Sequence, residues 1–545
     1  MKRPLRRWRT PLAALSLGLA TPFAFAPTGW WWLIPLTLAP LLWRALLRPC
    51  APREAARLGW LWGFGLFMAG TGWIQVSLSV YGELPWLFGW LAVAALAAFL
   101  ALFPALAMWA AARVSGCAAV RLLLAAPAAW VLAEWMRGWV FTGFPWLSLG
   151  DSQAPEGWLA PLAPVVGHFG LSGLLVAAAG GLVLVAPGLC RALSRPGSPA
   201  QRVGSAFGSI HADEEERSGR LPAFAKAPLA AGLGALVLPS ALALGLAGVE
   251  WSRPVGAPVR VELLQPDIAQ QVKWDPAHTR AVVDQVVKQV AASTAQWVVL
   301  PETAVPFFFQ QMPPEVLGAL HDPVRDRGAV LLVGLPTLDG ERYYNSVVAL
   351  GSTTAIPYSK HHLVPFGEFV PWGFRWFVDA VSIPLADFSR GAPNQTPFAL
   401  GGQRIAFMIC YEDVFGSEVA ARAADATVLV NQTNDAWFGQ TAAPWQHAQQ
   451  SQMRAMENAR PLLRATNNGV TLAADHRGRV VAALPPFAPG ALAVELQGRT
   501  GTTPYQLWGD WLVVGLAGTV LLGVAMRRRW RAGPTGGGAS LQMTP

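Results

Sequence analysis

Charged residues are scarce in this sequence. Only 13% of its 545 residues are Asp, Glu, Lys or Arg, against about 25% in an ordinary soluble domain. Hydrophobic residues make up 53% of the chain and include 26 tryptophans, which gather where a bilayer meets water. This composition argues against a soluble globular protein and is typical of a membrane protein.

Long apolar runs account for much of this composition. A helix that crosses a bilayer needs about 20 mostly apolar residues. Eight candidate runs cover residues 11–27, 30–47, 58–80, 85–112, 118–137, 164–190, 227–249 and 507–526. We therefore expect seven spans within residues 1–249, a last helix over 506–527, and a tail over 528–545.

Basic residues are missing from alternate connections between these runs. "YGELP" (81–85) and residues 138–163 contain no Lys or Arg, whereas arginines flank the other connections. Since Lys and Arg mark the cytoplasmic side, both termini and the polar, Gly/Ser/Pro-rich loop 191–226 are expected in the cytoplasm, and this loop is predicted to be disordered. Residues 250–505 then lie outside. The net charge of +9 is read as membrane anchoring and not as nucleic-acid binding.

The N-terminus has a second interpretation. "MKRPLRRWRT", an apolar stretch and "AFA" at 24–26 also resemble a cleavable signal peptide. The later orientation is the same in both cases, because the second span would still run from outside to inside. We expect the first span to be retained, and N-terminal sequencing distinguishes the two.

Residues 250–505 show a different pattern. Their apolar runs are of strand length, as in "VRVELLQPD" (259–267), "RIAFMICYED" (404–413) and "ATVLVNQTND" (426–435), and helical stretches such as "RAVVDQVVKQVAAS" (280–293) come between several of them. About 250 residues are enough for a full core. We therefore expect an α/β domain.

Cysteine is scarce too. Cys50, Cys117 and Cys190 fall at the predicted cytoplasmic ends of spans, so Cys410 is alone in the exported domain and has no intrachain disulfide partner there. A lone cysteine is commonly a small buried apolar residue. Cys410, however, ends the strand "RIAFMIC", and reactive groups are displayed at the carboxyl ends of strands in α/β domains.

Two other strand ends carry polar groups. Glu302 closes "WVVLPE", and Lys360 lies in "YSKHHLVPFGEFVP" (358–371). Each alone is more commonly a solvated surface charge. A thiol becomes a useful nucleophile when a base takes its proton and a further group stabilises the anion that follows, so an acid, an amine and a thiol could converge on one carbonyl.

Three motifs carry a family resemblance. "LPET" with Glu302, "YSKHHLVPFGEFVP" with Lys360 and "MICYEDVF" with Cys410 resemble the signatures of the nitrilase superfamily, whose catalytic unit is Glu, Lys and Cys. With spans on both sides, the whole chain resembles the bacterial apolipoprotein N-acyltransferases. The resemblance implies about eight transmembrane helices and a four-layer α-β-β-α sandwich in the periplasm, at the inner membrane.

The resemblance also implies a reaction. An acyl chain moves from a membrane phospholipid to the α-amine of the S-diacylglyceryl cysteine of an apolipoprotein, through a thioester on Cys410. Glu302 acts as the base, and Lys360 stabilises the oxyanion. The expected partners are a phospholipid and a diacylated lipoprotein, without a cofactor, and the protein is expected to be a monomer.

Four further residues are expected to support the site. Glu368 matches an additional acid of the family and would orient Lys360 or the amine; the alternative is an exposed loop carboxylate. Tyr411 and Glu412 are expected to place the thiol and the oxyanion-binding backbone. Trp274 resembles a family position near the acyl site, or is an interfacial anchor.

The segment 365–391 is strongly aromatic for a connection between strands. Long loops of this kind are usually functional or disordered, and an apolar one is poorly suited to disorder. We expect a lid or lipid-entry arm that dips toward the bilayer through Trp372, Phe374 and Trp376.

Metal binding and two rival functions complete the interpretation. No metal site is expected, because His361 and His362 are adjacent, and His447 and His476 are distant from them in the chain. A membrane-tethered amidase would use the same three groups with water as the acceptor. A transporter would depend on the spans alone, in which Glu134, near a span end, is the one candidate charge.

Overall fold

The computed structural model describes residues 3–48, 50–114, 116–193, 223–376 and 387–531. Most of the predicted loop 191–226, most of the tail 528–545, and residues 377–386 of the predicted arm lie outside these ranges.

Apolar helices form the N-terminal part of the chain. They are α1 Arg3–Ala20, α2 Leu33–Leu42, α3 Pro52–Gly70, α4 Ile74–Val76, α5 Trp86–Leu100, α6 Leu102–Arg113, α7 Ala118–Val120, α8 Ala126–Arg137, α9 Ala163–Leu193 and α10 Ala223–Leu246. Wider π-helical turns at Trp43–Leu47, Ser77–Tyr81 and Arg121–Ala125 extend α2, α4 and α7.

Several of these helices are suited to a bilayer. Within the described ranges, four stretches are long and apolar enough to cross one: Trp86–Arg113, Ala118–Arg137, Ala160–Ala186 and Ala227–Leu246. Shorter apolar helices cover Thr10–Ala24, Leu33–Leu47 and Trp511–Met526. The chain is a membrane protein, and the count of eight spans stays a prediction.

Glycines allow the apolar helices to approach closely. A Cβ on Gly18 would lie 2.0 Å from the carbonyl oxygen of Trp62, and one on Gly181 would lie 2.8 Å from that of Gly232. Helices in lipid associate largely through such close van der Waals packing. Glu134 accepts hydrogen bonds from the Trp130 indole (3.0 Å) and from the backbone N–H of Leu149 (3.1 Å), which gives this buried charge a structural role.

Two six-stranded mixed sheets form most of the C-terminal part. The strands are β1 Ser252–Pro254, β2 Val259–Gln265, β3 Trp297–Val299, β4 Val330–Asp339, β5 Arg342–Leu350, β6 Tyr358–Ser359, β7 Phe398–Leu400, β8 Gln403–Ile409, β9 Val428–Thr433, β10 Leu462–Thr466, β11 Leu472–Ala474, β12 Val480–Ala483, β13 Gly490–Leu496 and β14 Arg499–Gly501. One sheet has the order β13-β2-β3-β4-β5-β6 and the other β12-β11-β10-β9-β8-β7; β1 and β14 pair separately. At the centre of each sheet three strands run parallel, β2-β3-β4 and β8-β9-β10.

The two sheets pack face to face. Val261 and Val299 of one sheet share a core with Phe407 and Val430 of the other. Helices α12 Thr279–Ala292 and α13 Pro314–Arg325 cover the outer face of the first sheet. Helices α14 Gly416–Ala423 and α15 Ala443–Asn458 cover that of the second. The predicted α-β-β-α layering is therefore confirmed.

Short helices and a final apolar helix complete the described chain. The remaining helices are α11 Gln270–Lys273, α16 Pro504–Trp508 and α17 Trp511–Arg531. The last of these returns to the apolar helices, where Ala517 packs with Val131 of α8 and Phe169 of α9. Apolar helices therefore precede and follow the sandwich along the chain.

Candidate active site

Cys410 occupies a sharp turn at the end of β8. Its φ angle is +52°, in the left-handed region that costs an ordinary side chain about 1–2 kcal/mol. A 3₁₀ turn over Cys410–Val414 begins at this residue. Such a strained position holds only where the surroundings enforce it, and it is typical of functional sites.

The Cys410 thiol is buried, with 8% of the residue exposed. Burial raises the pKa of this thiol well above its ordinary value, and the charge of Glu302 raises it further, while Lys360 opposes them. The resting side chain is therefore a neutral thiol, and a neighbouring base must accept its proton before it can attack a carbonyl.

Lys360 follows the short edge strand β6 and is fully buried between two carboxylates. Its Nζ lies 3.3 Å from Glu302 Oε1 and 2.9 Å from Glu368 Oε2. Burial alone would favour the neutral amine, but the charges of Glu368 and Glu302 raise the pKa of Lys360 above its ordinary value. Lys360 is thus a buried ammonium group that is electrostatically coupled to the Cys410 thiol.

Glu302 follows the central strand β3, and three neighbours hold its carboxylate. Asn345 Nδ2 donates to Oε1 at 2.6 Å, and the backbone N–H of Asn434 donates to Oε2 at 3.0 Å. Lys360 supplies the third bond. The backbone carbonyl of Glu302 accepts a longer bond, 3.4 Å, from the buried Lys273. These donors fix the position of the Glu302 carboxylate next to Lys360.

Asn345 is a member of the cluster that the sequence did not point to. Its amide donates to Glu302 and also to Glu368 Oε1 at 2.9 Å, which links the two acids. Glu368 is itself 8% exposed and accepts from the N–H of Val364 at 2.8 Å. Glu368 is therefore a buried carboxylate in contact with Lys360. That it orients Lys360 or the amine stays a prediction.

Glu412 is fully buried and connects two parts of the site. One of its oxygens accepts the N–H of Ile409, at the end of β8, at 2.8 Å. The other accepts the N–H groups of His361 and His362, at 3.0 and 3.1 Å. Arg422 balances its charge at 3.0 Å. Glu412 therefore holds the segment that carries Lys360 against the turn that carries Cys410.

Tyr411 points toward the membrane helices. Its hydroxyl donates to the carbonyl of Gly143, in the loop after α8, at 3.1 Å, and its ring lies 6.4 Å from that of Phe144. The residue after Cys410 is thereby tied to the N-terminal part of the chain.

Trp274 and the aromatic arm lie in more open positions. Trp274, just after α11, is 49% exposed. In the arm, Trp372 is 97%, Phe374 40% and Trp376 69% exposed, and the Phe374 ring packs edge-on against Phe366 at 5.4 Å. The structure joins Lys360 to Glu302 and Glu368 by hydrogen bonds and couples it electrostatically to Cys410. The roles of these residues, of Trp274 and of the arm stay predictions.

The histidines considered as metal ligands each contact another group. His361 lies 2.8 Å from the carbonyl of Gly391, His362 2.9 Å from Glu418, and His476 3.0 Å from Glu250. In the part of the chain that the structure describes, no group of three His, Cys, Asp or Glu residues is arranged to hold a metal ion.

The layered fold is that of a carbon-nitrogen hydrolase-type domain joined to apolar helices. Residues 260–505 match the family model described as carbon-nitrogen hydrolase, and residues 17–181 match that of the apolipoprotein N-acyltransferase N-terminal domain. The chain belongs to the apolipoprotein N-acyltransferase family.

Full-length relatives support this membership. An apolipoprotein N-acyltransferase of Nitrosomonas europaea is 41% identical over 524 residues, with 94% of this chain and 96% of the relative covered. One of Methylococcus capsulatus is 42% identical over 525 residues, with 95% and 96% covered. Among solved structures, the amidase from Nesterenkonia sp. AN1 is 22% identical with a TM-score of 0.32, covering 51% of this chain and 98% of its own.

Proposed function

We propose that this protein transfers an acyl chain from a membrane phospholipid to the N-terminal α-amine of the S-diacylglyceryl cysteine of apolipoproteins. The proposal draws on the family membership and on one observation in this chain. A buried ammonium, that of Lys360, lies within 3.3 Å of the Glu302 carboxylate and is electrostatically coupled to the buried Cys410 thiol. These are the groups that a two-step acyl transfer requires.

In the first step Glu302 accepts the thiol proton of Cys410. The thiolate attacks the ester carbonyl of the phospholipid, and Lys360 with nearby backbone N–H groups stabilises the tetrahedral oxyanion. The C–O ester bond breaks, Glu302 returns the proton to the departing oxygen, and a lysophospholipid leaves. The acyl group is now a thioester on Cys410.

In the second step the α-amine of the lipoprotein cysteine attacks this thioester. Glu302 takes the amine proton, the C–S bond breaks, and the proton passes to the Cys410 sulfur as the amide forms. A thioester reacts more readily with amines than the donor ester does. Division of the reaction in two also lets two bulky lipids use one site in turn.

The placement of the chain in the membrane is part of the proposal. Residues 1–249 form the membrane domain, residues 250–505 the catalytic domain in the periplasm, and residues 506–527 the last span, with both termini in the cytoplasm. Eight spans fit the seven apolar stretches together with α3, which begins with the charged residues Arg53 and Glu54.

A transfer assay tests the function. The full-length protein is incubated in liposomes with a phospholipid labelled in its acyl chain and with a diacylated peptide. Label on the peptide amine, absent with Cys410→Ala, is the expected result. Release of free labelled fatty acid alone would instead indicate a hydrolase, and neither product, or full transfer by Cys410→Ala, would contradict the proposal.

A further inference from the structure

A buried ring of four charges lies behind the nucleophile turn. His447, on α15, has Nδ1 2.9 Å from Asp435 Oδ1 and Nε2 2.8 Å from Asp413 Oδ1. Each ring nitrogen faces a carboxylate oxygen, which accepts but cannot donate. Both nitrogens therefore carry a proton, and the ring is an imidazolium.

Arg464, on β10, contacts the same two carboxylates from the other side and completes the ring of four charges. It donates to Asp413 Oδ2 at 3.0 Å and to Asp435 Oδ2 at 3.1 Å. All four residues are at most 1% exposed. Since an unbalanced charge is costly at such depth, the alternation of two cations and two anions is stable only while His447 stays protonated.

The same imidazolium reaches the main chain of the nucleophile. His447 Nε2 lies 3.2 Å from the backbone carbonyl oxygen of Cys410, and Asn431 Nδ2 donates to that oxygen at 3.3 Å. Asp413 is three residues beyond Cys410 in the same 3₁₀ turn. The strained backbone of Cys410, with φ at +52°, is thus anchored both at its carbonyl and at the turn that follows it.

We propose that His447 is a positioning residue for the acyl-transfer reaction. Its doubly protonated ring fixes the carbonyl of Cys410 and so maintains the left-handed backbone that presents the thiol to Glu302 and Lys360. The role deepens the proposed function, since it assumes that Cys410 is the nucleophile. It also explains why the turn that carries Cys410 packs against the four charges. Apolar side chains in their place would leave the Cys410 carbonyl without hydrogen-bond donors.

The surroundings of His447 contain several other charged or titratable groups. Asp413 faces it from the turn after β8, Asp435 from the turn after β9, and Arg464 from β10. From the membrane side the uncharged ring of Trp146 packs at 5.4 Å. Since several of these groups titrate, a pH profile alone would not assign an effect to His447.

Two amide substitutions separate the contacts of the two ring nitrogens. The terminal amide of Gln takes the place of Nε2, so His447→Gln keeps a donor near the Cys410 carbonyl. The amide of Asn takes the place of Nδ1, so His447→Asn keeps the contact with Asp435 and loses the one with Cys410. We expect His447→Asn to slow single-turnover acylation of Cys410 by about 100-fold, and His447→Gln by less than about 10-fold, with little change in KM for the phospholipid.

The second readout does not depend on lipid chemistry. The rate at which iodoacetamide alkylates Cys410 in the full-length protein, followed by mass spectrometry of its peptide, reports the presentation of the thiol. The two variants should rank in the same order as for acylation. Since this rate needs no acyl donor, it remains informative if the transfer assay with Cys410→Ala has already contradicted the proposed function.

Gln452 supplies the matched control. It is buried on the same helix, donates to the carbonyl of Gly478 at 2.8 Å and makes no contact with the four-charge ring. Gln452→Ala should leave both Cys410 rates unchanged. Equal rates in wild type and His447→Asn, or a loss with Gln452→Ala as large as that with His447→Asn, would overturn the proposal.

A second variant covers the case in which His447→Asn does not fold. Asn431→Ala removes the companion donor to the Cys410 carbonyl. Because the anchor acts through that carbonyl, we expect acylation and alkylation of Cys410 to slow by about 10-fold. Wild-type rates in the folded Asn431→Ala variant would overturn the carbonyl anchor and the role of His447 with it.

Discussion

Individual residues of the candidate site differ in how well the sequence reveals them. Glu302, Lys360 and Cys410 each follow a short strand, and strand ends are where an α/β fold displays reactive groups. Asn345 could not be found in this way. It lies within β5, and its partners Glu302 and Glu368 are 43 and 23 residues away in the chain. No local pattern records contacts of that kind.

Glu412 gives a prediction about stability. The buried carboxylate opposes Arg422 and accepts three backbone N–H groups. Glu412→Gln removes the carboxylate that contacts Arg422 and leaves it the more weakly coupled Glu418. Removal of one partner of a buried ion pair costs about 3–5 kcal/mol. Thermal unfolding in detergent should show a clearly lower Tm, while the exposed Glu315→Gln should change little. An unchanged Tm for Glu412→Gln would mean that this carboxylate does not hold the two segments together.

His447 gives a prediction about pH. Burial lowers its pKa, but the carboxylates of Asp413 and Asp435 together raise it, against the opposing charge of Arg464, from 6.5 to about 9. Between these values the native state binds more protons than the unfolded chain, so the stabilisation is complete below pH 6.5 and is lost as pH rises through 9. The Tm advantage of wild type over His447→Gln should therefore shrink between pH 7 and 9.5. An advantage that stays constant or grows would contradict the imidazolium.

At the scale of elements, apolar periodicity predicted an α/β domain, and the family resemblance implied its four layers. Neither predicted the course of the third span. The run 58–80 is mostly apolar in sequence, yet α3 ends at Gly70 and a π-helical turn covers Ser77–Tyr81. Ser77 donates to the carbonyl of Trp437 at 2.7 Å, and Tyr81 to that of Ala436 at 2.8 Å. These bonds join residues more than 350 positions apart, so hydropathy could not predict them.

This π-helical turn leads to a prediction about Glu302. The hydroxyls of Ser77 and Tyr81 hold the turn Asp435–Phe438. The preceding residue, Asn434, donates its N–H to Glu302. The double variant Ser77→Ala/Tyr81→Phe should slow single-turnover acylation of Cys410 by about 10-fold through misplacement of the base. Ser79, which instead accepts from Gln75, provides the control. If Ser79→Ala slows the reaction as much as the double variant does, the contacts of Ser77 and Tyr81 do not position Glu302.

Charged substitutions test whether the aromatic arm enters the bilayer. If Trp372 and Trp376 enter the bilayer, Trp372→Glu and Trp376→Glu should lower turnover with phospholipid in liposomes, because a charge is costly in the membrane. Turnover with a short-chain ester that is dissolved below its critical micelle concentration should be unaffected. Val481, which is 64% exposed on the edge strand β12, offers a matched apolar-to-Glu control. Equal activity of all three variants on liposomes would show that the arm does not engage lipid.

At the scale of the whole molecule, composition predicted a membrane protein, and the strand-length apolar runs predicted an α/β half. Both are present. The interface between the apolar helices and the α/β domain was not predictable, because it consists of polar contacts between residues that are far apart in sequence. Trp146 donates to Gln446 at 2.8 Å, and the backbone N–H of His168 donates to Glu457 at 2.9 Å. With Tyr411 bonded to Gly143, these contacts join the turn that carries Cys410 to the N-terminal part of the chain.

The most direct test of the account is the fate of the acyl group before the acceptor is added. The full-length protein is incubated in liposomes with phospholipid labelled in its acyl chain, denatured, digested and examined by mass spectrometry. We predict one labelled acyl group on the Cys410 peptide, released by neutral hydroxylamine and passed to a diacylated peptide when that is supplied before denaturation. Transfer to the peptide without any label on Cys410, or label on another residue, would contradict the account.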